Sequence, residues 1–123
     1  MKVDIGISAA NLKKVCDNLN AVLADGNVLY LKLRKFHWNL KGPDFMQFHR
    51  LFEEQYEALE KAIDEVAERI STLGGMAVGT TIEFAELSQL KEAPGKCPSP
   101  LEMAKELLQD HEKMAWQLRQ YFV

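Results

Sequence analysis

The chain has 123 residues, the size of one domain, and its 47% apolar and 27% charged residues are typical of globular rather than disordered or collagen-like proteins. Fifteen Lys and Arg against eighteen Asp and Glu give a formal net charge of −3, which excludes a global positive field for a nucleic-acid backbone. No secretory signal or membrane span is evident, and Cys16 and Cys97 lack metal-ligand spacing. We therefore expect one cytoplasmic domain over residues 1–123 with reduced thiols.

The first predicted helix runs from about Ser8 to about Trp38. Apolar residues recur there at steps of three and four, the spacing of an amphipathic helix, and Ser8 is a suitable N-cap. Gly26 costs roughly 1 kcal/mol relative to Ala inside a helix. Because the apolar pattern resumes in phase after Gly26, we expect the helix to continue through it. Lys41-Gly42-Pro43 is the first break.

A second long helix is predicted from Asp44 to the Gly74-Gly75 pair. Asp44 with Gln47 three residues later has the spacing of a capping box. Its apolar face is drawn by Phe45, Phe48, Phe52, Leu59, Ile63, Val66, Ile70 and Leu73. The two glycines are a typical C-terminal signal.

The remainder predicts a connection followed by a third long helix. A turn at residues 79–81 precedes a short helix over Ile82 to Leu90, which Ala93-Pro94-Gly95 ends. Ser99-Pro100-Leu101-Glu102 combines an N-cap, a proline at the first helical position and an acid at the third. The apolar stripe of this helix comprises Leu101, Ala104, Leu108, His111, Ala115, Leu118 and Phe122.

These patterns predict an all-α protein, an antiparallel helical bundle of three long helices with one short connecting helix. A bundle usually has four long helices, so we expect the C-terminal fourth to be missing from residues 1–123. Without it, Leu108, Ala115 and Leu118 would be exposed, and such a surface aggregates or recruits a partner.

Polar residues along the second helix form one stripe beside its apolar face: His49, Glu53, Glu57, Glu60, Asp64 and Glu68. Such a charge run is usually a solvated helix face. However, His49 with Glu53 and Asp64 with Glu68 are i,i+4 pairs, the spacing at which two side chains converge on one ion. Imidazole together with carboxylate suits a divalent metal such as iron.

His37 lies just before the short turn between the first two helices. That turn folds the helices back on each other and brings His37 towards His49. Asp64 lies fifteen residues beyond His49, about 22 Å along a helix, so one chain cannot join the two pairs. Two chains packed about a twofold axis can bring the His49 and Glu53 pair of one chain to the Asp64 and Glu68 pair of the other. An intrachain di-iron bundle uses the pattern Glu-x-x-His, and none of the three histidines has a Glu three residues before it.

Three sequence blocks carry a resemblance to a known family. They are Phe36-His37-Trp38-Asn39-Leu40-Lys41-Gly42-Pro43-Asp44-Phe45 with His49 following, Asp64-Glu65-Val66-Ala67-Glu68-Arg69, and Leu73-Gly74-Gly75. Together they are similar to the mini-ferritins of the Dps family, named for DNA-binding proteins from starved cells, over residues 8–123.

The resemblance implies a dodecameric shell of four-helix subunits. Such a shell oxidises Fe(II), preferentially with hydrogen peroxide, and stores ferric mineral as protection against oxidative stress. It further implies a ferroxidase site shared across a twofold interface: His37, His49 and Glu53 would come from one subunit, and Asp64 and Glu68 from the other. Glu53 stands where the family usually has Asp, which lengthens this ligand arm by one methylene. Trp38 matches the family's aromatic beside the site, although a core or interface position explains it equally well.

Two alternatives to iron oxidation remain. A non-catalytic helical oligomerisation module would use the acidic stripe only for solubility. A DNA-coating stress protein is disfavoured, because family members bind DNA through Lys-rich arms and here one Lys stands beside one Asp before Ser8. We interpret Lys13, Lys14, Lys32, Arg34 and Lys35 as solvated, Met46, Met76, Met103 and Met114 as core residues, and His111 as facing the bundle.

Overall fold

A computed structural model describes residues 6–119. The elements in chain order are α1 (Ala9–Trp38), α2 (Phe45–Thr72), α3 (Thr81–Leu87) and α4 (Pro100–Arg119). Over this range the protein has no strand, which confirms the predicted all-α class. Phe122, at the end of the predicted stripe of the last helix, lies outside the described residues, as do the Lys and Asp near the N-terminus.

The central element is α1, which packs against each of the other three helices. The Ser8 side chain accepts a hydrogen bond from the Asn11 backbone N–H at 3.2 Å, so the predicted N-cap is confirmed. The helix continues through Gly26. A Cβ at Gly26 would lie 2.9 Å from Ile63 Cγ1, so the absence of a side chain at this position allows α1 to approach α2 closely.

The start of α2 differs from its prediction. Asp44 precedes the helix but makes no capping hydrogen bond with its side chain, so the expected capping box with Gln47 is wrong. Its φ of −96° and ψ of 19° depart from the extended backbone typical of an N-cap. The predicted end is confirmed: Gly74 has a φ of +87°, and the Gly75 N–H donates to the Ile70 carbonyl at 3.0 Å.

Both α2 and α4 run antiparallel to α1. His37 meets His49 at one end of the α1–α2 pair, and Gly75 approaches Cys16 at the other. In α4, Glu106 pairs with Lys32, late in α1, at 3.2 Å, whereas Gln117 and Asn18, early in α1, exchange hydrogen bonds. The residue 73–99 connection therefore carries the chain back along the bundle, which leaves α2 and α4 parallel to each other.

The apolar core has two parts. The larger lies between α1, α2 and α4 and is built around Leu29, Leu33, Phe36, Phe52, Met103 and Leu107. The smaller lies where the end of α2 meets the start of α1 and includes Cys16, Leu19, Leu23, Ile70 and Leu73. Met103 belongs to the core as predicted, but Met46 and Met76 are exposed and so are not core residues.

A charged layer joins α4 to α1. Lys32 is only 6% exposed and bonds the carboxylates of Asp110 and Glu106 and the Lys91 carbonyl, so its interpretation as a solvated residue is wrong. The four-carbon stem passes through the apolar contact while three acceptors satisfy the ammonium. Nearby, the Lys35 ammonium donates to the Ala93 carbonyl at 2.8 Å. These bonds attach the connection before α4 to α1.

Candidate metal centre

The site begins with two histidines that hold each other at the turn between α1 and α2. His37 Nδ1 lies 2.7 Å from the His49 carbonyl oxygen, and His49 Nδ1 lies 3.1 Å from the His37 carbonyl oxygen. The rings stack with centroids 3.6 Å apart and planes 18° apart. The short turn thus brings the two predicted histidines together.

This reciprocal bonding determines the tautomer of both rings. A carbonyl oxygen can only accept, so each Nδ1 must carry a hydrogen and donate it. In the neutral imidazole the lone pair then resides on Nε2, the atom that binds metals when Nδ1 donates to a carbonyl. Two oriented Nε2 ligands are therefore available from two different helices.

Aromatic side chains enclose the histidine pair. Phe45 stacks on the outer side of His49 with ring centroids 4.8 Å apart. The Tyr56 ring is edge-on to the His37 ring, with the centroids 5.4 Å apart. Tyr56 is also edge-on to Tyr30, with the centroids 5.7 Å apart. Sequence reasoning missed Tyr56, although it stands seven residues after His49 and therefore on the same helix face. The aromatic contacts restrict both imidazoles to one orientation.

The electrostatic surroundings of the pair are acidic. Glu53, one turn beyond His49, is half-buried. Burial raises the pKa of Tyr56 above 10.0, and the negative charges of Glu53 and Glu57 raise it further. Tyr56 therefore remains a protonated phenol at neutral pH. A cation at the histidines would gain from the same carboxylates.

Asp64 and Glu68 lie away from the histidine pair. Both are exposed, and Asp64 borders an open recess of about 490 Å³ between α1, α2 and α3. In the part of the chain that the structure describes, no three His, Cys, Asp or Glu side chains meet closely enough to hold a metal. One subunit thus presents the two histidines and the two carboxylates as separate groups.

Similarity to known proteins identifies the family. A ferritin-like domain model matches residues 16–122. The chain is 41% identical over 120 residues to a low temperature-induced protein of Nostoc sp., covering 98% of this chain and 67% of that protein. It is 41% identical over 108 residues to DNA protection during starvation protein 2 of Bacillus anthracis, covering 87% and 73%. This chain belongs to the Dps family of ferritin-like proteins.

The fold of this Dps-family chain agrees with a solved structure. The Dps protein of Vibrio cholerae O1 superposes with a TM-score of 0.90 at 30% identity, over 98% of this chain and 76% of its own. That protein is described as a member of a broad superfamily of ferritin-like diiron-carboxylate proteins. Among residues 6–119, no helix is long and apolar enough to cross a membrane.

Two other predicted residues lie apart from the histidine pair. Trp38 is 62% exposed with the Arg34 guanidinium 4.7 Å from its ring centroid, which excludes a core position within one subunit. His111 is half-buried on α4, where its Nδ1 lies 2.7 Å from the Leu107 carbonyl oxygen. His111 also lines a cavity with Leu51 and Gln55 of α2, so it faces the bundle as predicted and lies outside the candidate site.

Proposed function

We propose that this Dps-family chain binds Fe(II) as its substrate and oxidises it at a site shared by two subunits. His37, His49 and Glu53 would come from one subunit, and Asp64 and Glu68 from the partner. The observation that carries the proposal is the reciprocal His37–His49 bonding, because it directs both Nε2 atoms to act as ligands at once.

A twofold axis would complete the site. The histidines and the Asp64 carboxylate belong to the same pair of helices, and about 22 Å of helix separates His49 from Asp64. An antiparallel partner places its own Asp64 and Glu68 at the histidine end, and symmetry makes two equivalent sites. The exposure of both carboxylates and the recess beside Asp64 support an interface here.

The proposed reaction consumes hydrogen peroxide. Two Fe(II) ions each give one electron, the O–O bond breaks, and two protons complete two waters, so that H₂O₂ + 2 Fe²⁺ + 2 H⁺ yields 2 Fe³⁺ + 2 H₂O. Anionic carboxylates favour the more highly charged Fe(III) and so assist oxidation. Because both electrons leave together, no hydroxyl radical is released. A dodecameric iron-storing shell in the cytoplasm, protecting against oxidative stress, is part of the same proposal.

The test is anaerobic Fe(II) titration followed by stoichiometric peroxide, with Fe(III) absorbance and protein mass recorded in parallel. We expect rapid oxidation by the wild type and its loss in His37→Ala/His49→Ala. His111→Ala removes a histidine outside the site and serves as the matched control, with oxidation unchanged. Rapid oxidation of equal rate by all three proteins would contradict the assignment of His37 and His49, and the absence of oxidation in all three would favour the oligomerisation module.

Mixing two inactive variants tests the sharing of the site. His37→Ala/His49→Ala and Asp64→Asn/Glu68→Gln each lack one half of every site. In a mixed dimer, one of the two sites regains all its ligands, so a random equal mixture should recover about a quarter of wild-type oxidation after subunit exchange. No recovery, with exchange shown by mass spectrometry, would mean that the ligands act within one chain.

A further inference from the structure

Arg34 is a cation that lies close to the histidine pair. Its guanidinium carbon is 5.3 Å from the centroid of the Tyr30 ring and 4.7 Å from that of the Trp38 ring, so two aromatic rings hold it. Tyr30 contacts Tyr56, which in turn contacts His37. Burial raises the pKa of Tyr56, and the charge of Arg34 opposes this rise. Arg34 is half-buried rather than freely solvated, and its charge acts beside the candidate metal centre.

Glu60 belongs to the acidic stripe of α2 but is not one of the proposed iron ligands. It is exposed and borders the same recess as Asp64, which comes one turn later on the helix. The ion pairs among residues 6–119 are formed by Lys13 and Lys32, and neither Arg34 nor Glu60 takes part in one. An unpaired cation thus lies beside the histidines, and an unpaired carboxylate lies beside Asp64.

The arrangement of the proposed shared site brings these two side chains together. Arg34 comes one turn before His37 on α1, and Glu60 comes one turn before Asp64 on α2. The partner's α2 runs antiparallel to α2 and therefore parallel to α1. One turn back from His37 and one turn back from the partner's Asp64 thus lead in the same direction. When the partner's Asp64 reaches the histidines, the partner's Glu60 lies level with Arg34.

We propose that Arg34 forms an ion pair with the partner's Glu60 across the twofold axis, and that symmetry repeats the pair. The inference rests on the proposed function, because the twofold arrangement comes from the shared site. Since two aromatic rings already hold Arg34, little side-chain freedom is lost when its planar fork binds a carboxylate. Arg34 is therefore a positioning residue. It holds the partner's α2 where Asp64 can reach the histidines, and it leaves that carboxylate free for iron.

Charge reversal tests the pair. A dimer of Arg34→Glu chains has like charges at both contacts, and so has a dimer of Glu60→Arg chains. Each variant alone should therefore self-associate at least about a hundredfold more weakly than the wild type. In an equal mixture the two introduced charges meet each other, and the two native side chains meet each other. We expect the mixture to form a heterodimer of near wild-type affinity, measured by sedimentation equilibrium and native mass spectrometry.

Glu65→Arg is the matched control for these reversals. Glu65 is also an exposed acid of α2, but it lies about 140° around the helix from Glu60. Its reversal should leave self-association unchanged, and it should not rescue Arg34→Glu in a mixture. Recovery in the mixture of Arg34→Glu and Glu60→Arg also shows that both variants fold.

Wild-type association of either reversed chain alone, or no recovery in their mixture, would overturn the proposal. Peroxide-driven iron oxidation, measured in parallel, distinguishes this outcome from failure of the proposed ferroxidase. The heterodimer keeps all five ligands at both sites, so it should regain the oxidation that each reversed chain alone loses. If the wild type oxidises Fe(II) and the reversed chains match it, the ion pair is wrong and the ferroxidase stands. If the heterodimer forms but neither it nor the wild type oxidises Fe(II), the ion pair stands and the ferroxidase is wrong.

Discussion

The two long helices that flank α1 attach to it by different chemistry. The α1–α2 contact is apolar and close, with Gly26 of α1 lying against Ile63. The α1–α4 contact contains the buried Lys32 ammonium held by Asp110 and Glu106. Apolar contacts depend on shape, whereas a buried ion pair depends on both partners being present. The two contacts should therefore fail in different ways when altered.

The largest effect is expected at the ion pair. Asp110→Ala leaves the Lys32 ammonium buried with only Glu106 and the Lys91 carbonyl as acceptors. We expect the free energy of unfolding to fall by about 3 kcal/mol, the lower end for breaking a buried pair. Urea denaturation followed by circular dichroism at fixed protein concentration measures it.

The double variant Lys32→Met/Asp110→Leu is the matched control for this loss. It removes both charges while it keeps the apolar volume, so its stability should be close to that of the wild type. If the double variant lost as much stability as Asp110→Ala, packing rather than charge would hold α4 to α1.

At the α1–α2 contact we expect a smaller change in the free energy of unfolding, and its sign should depend on the side chain at position 63. Gly26→Ala places a methyl group 2.9 Å from Ile63 Cγ1, and overpacking of about 1–3 kcal/mol exceeds the gain in helix propensity of about 1 kcal/mol. In an Ile63→Ala background the obstructing carbon is absent, so the same Gly26→Ala should stabilise.

The thermodynamic cycle formed by these variants isolates the contact. It requires the wild type, both single variants and the double variant, each measured by thermal unfolding. Destabilisation by Gly26→Ala of the same size in both backgrounds would show that Ile63 is not the obstacle.

The contrast between the contacts also explains which parts of the fold could be predicted from sequence. Helix periodicity is a local property, so α1 was expected to continue through Gly26, and it does. The burial of Lys32 depends on Asp110 in a distant helix, and no local pattern distinguishes Lys32 from a solvated lysine. The cap at Asp44 failed for a similar reason, because backbone angles set by the preceding turn decide whether a side chain can cap.

The candidate site also combines features that the local sequence predicts with features that depend on distant residues. The meeting of His37 and His49 follows from a short turn between two helices, and local sequence indicated it. Their reciprocal hydrogen bonds and the edge-on contact of Tyr56 are tertiary details that periodicity alone does not describe. The pairing with Asp64 and Glu68 of a partner subunit depends on assembly and stays a prediction.

The smallest effect sharpens the comparison at a second buried acid, which lies on α1 and binds the connection between α3 and α4. Asp25 of α1 is 1% exposed, and its Oδ1 accepts from the Ser88 hydroxyl and the Gln89 N–H, both at 2.8 Å. Burial raises the pKa of Asp25 above its ordinary 3.8, and nearby Asp110 adds to this. The two hydrogen bonds and Lys113 oppose it.

Because its pKa is higher in the folded state, Asp25 binds a proton more readily there than in the unfolded chain. Its contribution to stability is therefore fully present below pH 3.8 and is lost as pH rises through the raised value. Asp25→Asn keeps the accepting Oδ1 and never ionises, so its stability relative to wild type should increase with pH across this window. At neutral pH it should be at least as stable as wild type. Urea midpoints from acid to neutral pH decide this, and parallel curves for the two proteins would show that Asp25 carries no burial penalty.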